Sequence, residues 1–161
     1  MTTALMLLLG IVLTAGTFVF VSAEFSLVAV DQAVLDKKAE EGDRGAASVL
    51  RATRTLSTQL SGAQVGITLT TILLGYTTQS ALADLLQDLL GSVGLAWGLA
   101  TGIAAFVAAA FINVFSMLFG ELVPKNLALA HPLATAVRVV PFQMAFTVIA
   151  RPVIWVLGGT A

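Results

Sequence analysis

Cysteine is absent from this chain, and histidine occurs once, as His131. No disulfide, thiolate metal site or cysteine nucleophile can form. A histidine-rich zinc site and an HExxH metalloprotease are excluded as well. Any metal held here must accept oxygen ligands, which favours hard cations such as Mg²⁺ or Ca²⁺. Charge is equally scarce, at 11% of residues, where a soluble domain carries about 25%. Net charge is −1, so no basic field invites nucleic acid. There is no nucleophile–histidine pairing, phosphate-cradling glycine loop or catalytic metal triad, so an enzyme is not expected. His131, followed by Pro132, reads as an interfacial cap.

Apolar length takes the place of charge. Hydrophobic residues make up 58% of the chain, and uncharged runs cover 1–23, 55–83 and 93–119. Each reaches the length of about 20 residues that a spanning helix needs. The reading is an all-α integral membrane domain occupying 1–161, with three transmembrane helices at about 3–30, 62–83 and 93–119. The first run resembles a signal peptide in one respect, because Val21 and Ala23 suit cleavage before Glu24. It lacks a basic n-region and its apolar part is long, so it reads as a span.

Five of the eight basic residues, Lys37, Lys38, Arg44, Arg51 and Arg54, lie between the first two runs. The 84–92 connection carries Asp84 and Asp88 and no basic residue. The positive-inside rule then places 31–61 and the region after 121 in the cytoplasm, with the N-terminus outside an inner membrane and the C-terminus inside. Two short cytoplasmic helices, 31–41 and 46–60, are expected around a break at Gly42-Asp43-Arg44-Gly45. The last segment is apolar but carries Pro141, Pro152 and Arg151. A juxtamembrane helix at about 133–157, with Arg138 and Arg151 reaching the headgroups, fits better than a fourth span. Gly62-x-x-x-Gly66 and Gly94-x-x-x-Gly98-x-x-x-Gly102 allow close helix approach, within one subunit or across a dimer.

Polar residues inside such runs are costly and are usually kept for a cation or proton. Glu121 ends the third run, and Glu24 follows the first. In a straight helix Ser22 and Ser26 share a face, whereas Glu24 lies roughly 200° from Ser22. The second run offers hydroxyls at Thr68, Thr70 and Thr71 and glycines at Gly66 and Gly75 that can free a carbonyl. In the third, Asn113 and Ser116 share a face. Glu121 sits about 80° around from Asn113 and joins that face only if Gly120 distorts the helix. Pro124 should kink or stop the helix nearby. Lys125, four residues after Glu121, is a local partner that would neutralise the carboxylate.

Gly120-Glu121-Leu122-Val123-Pro124-Lys125 resembles the G-E-x-x-P-K signature of the transmembrane domain in the CorC/CNNM magnesium transporter family. Ala23-Glu24-Phe25-Ser26-Leu27-Val28, Glu40-Glu41-Gly42 and Gln64-Val65-Gly66-Ile67-Thr68-Leu69 resemble bacterial members. The resemblance implies three spans, cytoplasmic helices, a belt-like juxtamembrane helix and a homodimer. It implies Mg²⁺ in an inward-facing cavity, exported with Na⁺ as the driving ion. Carried over by position, the ion falls to Ser22, Ser26, Gly66, Thr70, Asn113 and Glu121. Glu24, Ser116, Gly120, Pro124 and Lys125 are second choices for binding or gating. Members continue into cytoplasmic CBS-type regulatory domains, which 1–161 do not contain, so the chain reads as a membrane domain cut from a longer protein. The competing expectations are an anchor or assembly domain without transport, and a transporter of another cation such as Na⁺.

Overall fold

The structure is a computed structural model that describes residues 2–158. Its described residues form helices α1 (Thr2–Ala29), α2 (Gln32–Glu40), α3 (Arg44–Thr53), α4 (Leu56–Leu74), α5 (Ser80–Ser92), α6 (Trp97–Phe115), α7 (Val123–Ala130) and α8 (Pro132–Gly158). Two π-helical segments, Gly75–Gln79 and Ser116–Leu122, join α4 to α5 and α6 to α7 without a break. No strand occurs among the described residues. This is an all-α membrane domain. Thr2–Ala29, Trp97–Ala130 and Pro132–Val156 are each long and apolar enough to cross a membrane.

α1 is the central post. It is apolar on all sides, as a helix enclosed by protein and lipid should be. Gly10 lies against Thr78, Gly16 against Thr70 and Gly66 against Phe20. The α4–α5 rod therefore runs antiparallel to α1. Ile112 packs with Leu13, Gly120 meets Thr17 and Lys125 covers Phe25, so α6 and α7 run parallel to it.

Several boundaries differ from the sequence reading. The helix expected over 46–60 is α3, which ends at Thr53, because a turn at Arg54 and Thr55 starts α4 at Leu56. The stretch 84–92 is helical rather than a loop, with Asp84 and Asp88 exposed. The chain reverses instead at Val93–Ala96, where Gly94 takes a φ of +88°. The expected span 62–83 lies within the unbroken rod Leu56–Ser92. Its glutamines and threonines leave that rod less apolar than the other three. α8 continues through Pro141 and Pro152. Each proline removes one backbone donor, a loss that membrane helices tolerate when neighbours pack against them.

Helices α2 and α3 follow local chemistry closely. Asp31 caps α2 by accepting from the N–H groups of Ala33 (2.8 Å) and Val34 (3.3 Å). Asp43 caps α3 through Gly45 (2.8 Å) and Ala46 (3.0 Å). Gly42, at φ +91°, makes the left-handed turn between them. Leu35, Val49 and Ala52 then pack on Leu27 of α1 and on Ala136 and Val140 of α8. Further along, Gln143 Nε2 donates to the Gln59 carbonyl (3.0 Å), and Thr147 Oγ1 donates to Gln59 Oε1 (3.0 Å). Phe20 meets Phe146 at 4.6 Å and Phe142 at 5.8 Å. Together these contacts clamp α8 across α1 and α4.

The small-residue motifs separate by role. Gly62 and Gly66 pack within the chain, where an added Cβ would collide with Thr147 and with the Phe20 ring. Gly98 and Gly102 face open space.

Candidate functional site

A cavity of about 450 Å³ lies between α1, α4 and the junction of α6 with its π segment. Its polar wall is Thr17, Glu24, Thr71, Asn113, Ser116 and Glu121. Two carboxylates, an amide and three hydroxyls therefore share one recess in an apolar bundle. Glu24 is half-buried and lies close to the side chain of Gln64. Asn113 and Glu121 stand on the open side, exposed. One turn beyond Thr17, Leu13, Leu74 and Ile112 pack together. Glu24 and Phe25 line the cavity toward the end of α1 at Ala29.

The π segment is what assembles the site. In a regular helix Glu121 sits about 80° from Asn113. A π-helical stretch winds more slowly than an α-helix, and over Ser116–Leu122 that lag brings Glu121 round to the face of Asn113 and Ser116. The N–H of Val123 bonds to the carbonyl of Leu118, five residues back. Pro124 offers no N–H to either register, so a carbonyl at Phe119 or Gly120 loses its helical donor beside the carboxylate. The helix was expected to kink or stop near Pro124. It instead absorbs the proline by changing its winding and runs on to Ala130. Gly120 permits the close approach to α1: a Cβ there would lie 3.3 Å from Thr17 Cγ2 and 3.5 Å from Ser116 Oγ.

The structure brings together Glu24, Asn113, Ser116 and Glu121. It does not place Ser22, Ser26, Gly66 or Thr70 on the cavity wall. α1 stays regular, so Ser22 and Ser26 keep the face away from Glu24 and are fully buried. Ser26 Oγ donates back to the Ala23 carbonyl (3.3 Å). Ser22 Oγ is buried without a hydrogen-bond partner, a costly condition for a hydroxyl. Gly66 is covered by the Phe20 ring, and its carbonyl accepts from Thr70 Oγ1 at 2.9 Å. Thr70 also meets Thr17 Oγ1 at 2.7 Å, which makes it a support for the wall. Lys125 Nζ lies 4.9 Å above the centre of the Phe25 ring, held by a cation–π contact.

Sequence reasoning passed over Thr17. A lone threonine in an apolar helix usually bonds to its own preceding turn, and Thr17 does so with the Leu13 carbonyl (3.1 Å). Only the antiparallel packing of α4 shows its second contact. Among the described residues no group of three or more His, Cys, Asp or Glu side chains could hold a metal. A cation here would rely on carboxylates supplemented by neutral oxygens.

The family model described as the Cyclin M transmembrane N-terminal domain, CNNM, matches residues 8–161. The chain is 43% identical to the UPF0053 protein MT1890 of Mycobacterium tuberculosis over 92% of its own length and 33% of that protein. It is 34% identical to the UPF0053 protein YhdP of Bacillus subtilis, over 96% of this chain and 35% of the relative. The corresponding values for the UPF0053 protein sll0260 of Synechocystis are 30% identity, 87% and 31%. The chain thus spans about a third of the length of these relatives.

Proposed function

Because the chain belongs to the CNNM family of transmembrane domains, we propose that it is the ion-handling membrane domain of a Mg²⁺ transporter. The observation that carries this is the convergence of Glu24, Glu121, Asn113 and Ser116 on one cavity at a π-helical break. Two carboxylates balance a divalent charge. Amide, hydroxyl and carbonyl oxygens complete a hard-cation environment.

The size of the cavity bears on how the ion sits. At about 30 Å³ per water, 450 Å³ accommodates on the order of ten water molecules. Mg²⁺ sheds water reluctantly and usually retains several waters. A hydrated ion held through its water shell by Glu24, Glu121 and Asn113 matches this space better than a dry cage.

Glu24 and Phe25, on the cavity wall, lie toward the end of α1 that leads into the basic segment Lys37–Arg54. By the positive-inside rule that end is cytoplasmic, so the cavity faces inward. Export of Mg²⁺ with Na⁺ as the driving ion, and assembly as a homodimer, follow from the family resemblance. The exposed positions of Asn113 and Glu121 favour a second copy, because polar groups left open to lipid are costly.

The test is thermal unfolding of the detergent-purified chain across a Mg²⁺ titration, wild type beside Glu121→Gln. Saturable stabilisation, reaching about 2.7 kcal/mol at a hundred times Kd, is expected for wild type and lost in the variant. An unchanged titration in the variant would remove Glu121 from the site. No Mg²⁺ response in either protein would favour an anchor domain without transport.

A further inference from the structure

A second recess, separate from the cation cavity, opens where the α2–α3 turn faces the start of α8. It measures about 550 Å³. Lys38 and Asp43 contribute to one wall, and His131, Leu133, Val137 and Arg138 to the other. Three of its four ionisable side chains are basic. The one acid, Asp43, already accepts from Gly45 and Ala46 as the cap of α3. Lys38, His131 and Arg138 are all exposed, so their donors remain open to a ligand.

The depth of the recess narrows what that ligand is. Leu27, close to the end of α1 at Ala29, packs with Ala136 and Val140. At about 1.5 Å per residue, Arg138 lies level with the last turn of α1 and His131 lies beyond it. A lipid whose chains lie beside a membrane-spanning α1 would carry its headgroup at this level.

We propose that this cleft binds an anionic phosphate group, presented by the headgroup of an acidic membrane lipid. A planar guanidinium on Arg138 pairs with two phosphate oxygens, and Lys38 adds a point charge from the facing helix. The positive end of α8, opening on the same cleft, adds to the field. Leu133 and Val137 supply an apolar wall for the start of the lipid chains. A bound headgroup would cross-link α2 to α8, the two elements that pack around the lower end of α1. The site stands independently of the reading of the Glu24–Glu121 cavity.

The experiment is native mass spectrometry of the purified chain with added phosphatidylglycerol or phosphatidylcholine, and with inorganic phosphate in a separate arm. Each basic side chain near an anionic headgroup is worth roughly five-fold in binding. The double variant Lys38→Gln/Arg138→Gln is therefore expected to bind phosphatidylglycerol about thirty-fold more weakly. Phosphatidylcholine should be retained poorly by both proteins. Arg151→Gln, on the same helix outside the cleft, serves as the charge control. Both substituted side chains are exposed, and matching thermal midpoints in zwitterionic detergent will confirm that the fold is intact. Phosphate binding lost in the double variant would support the same site with a free anion as its ligand. Equal phosphatidylglycerol binding by wild type and double variant, or an equal loss in Arg151→Gln, would overturn the proposal.

Discussion

The hydroxyls of Thr17 and Thr70 meet at 2.7 Å and join α1 to α4 where the cavity begins. Thr17 forms part of the wall, while Thr70 stands behind it and also bonds to the carbonyls of Gly66 and Ile67. The pair fixes the spacing of two helices at the depth where Asn113 and Ser116 arrive from a third.

Thr70→Val keeps the shape and removes the hydrogen bond. Interhelical bonds of this kind contribute about 0.6 kcal/mol on average in membranes, so a stability loss of that order is expected in reversible unfolding. Mg²⁺ affinity should change by less than about three-fold, since under 0.7 kcal/mol is involved. A loss of a hundred-fold would make Thr70 a ligand.

Gly66→Ala tests the contact that holds α4 against α1. The new Cβ would lie 2.6 Å from the Phe20 ring, a clash costing about 1–3 kcal/mol. Adding Phe20→Leu makes room, and the double variant should recover most of the lost midpoint in a thermal unfolding assay. Additive losses would show that the two residues do not touch.

The carboxylates should act together. Glu24→Gln and Glu121→Gln are each expected to weaken Mg²⁺ binding at least ten-fold, about 1.4 kcal/mol. In a double-mutant cycle read by calorimetric titration the losses should be non-additive, because both groups neutralise one ion. Strictly additive losses would place them at separate sites.

The clamp on α8 rests on Gln59, Gln143 and Thr147. Thr147→Val removes the donor to Gln59 Oε1 and leaves a buried acceptor unpaired, a loss of about 1–3 kcal/mol. A Gln59→Leu/Thr147→Val double variant should lose less than the sum of the single changes, because the orphaned acceptor is then removed as well. Gly62→Ala should be more damaging than either, since its Cβ collides with Thr147.

Gly98 and Gly102 have open space around them, so Gly98→Leu should leave the folding of one chain unchanged. If that face carries the homodimer, cross-linking of membranes will show the dimer lost while the monomer persists. An unchanged dimer would move the interface elsewhere.

Much of this protein was legible from residue order. Long uncharged runs in a chain with 11% charge require a membrane domain, because no soluble core can absorb them. The break at Gly42-Asp43-Arg44-Gly45 announced two short helices through local turn chemistry, which needs no distant partner, while the caps at Asp31 and Asp43 and the end of α3 at Thr53 came from the structure. Glu121 beside Gly120 and Pro124 marked where the helix departs from regular winding, because a proline cannot complete a regular ladder, although the helix continues instead of stopping. Composition alone excluded sulfur and histidine metal sites.

The rest awaited the tertiary structure, for a physical reason in each case. Helical periodicity fixes which residues share a face only while the winding is constant. The π segment at Ser116–Leu122 changes the winding, and so decides that Glu121 joins Asn113. Which face of α1 meets the cavity depends on packing, and it selected Glu24 and Thr17 while Ser22 and Ser26 were buried. The same GxxxG spacing serves internal packing at Gly62 and Gly66 and stays open at Gly98 and Gly102, because spacing permits close approach without naming the partner. The placing of Lys38 and Arg138 around one cleft is likewise a product of α8 packing back along α1 and α3, a long-range arrangement that no local pattern records.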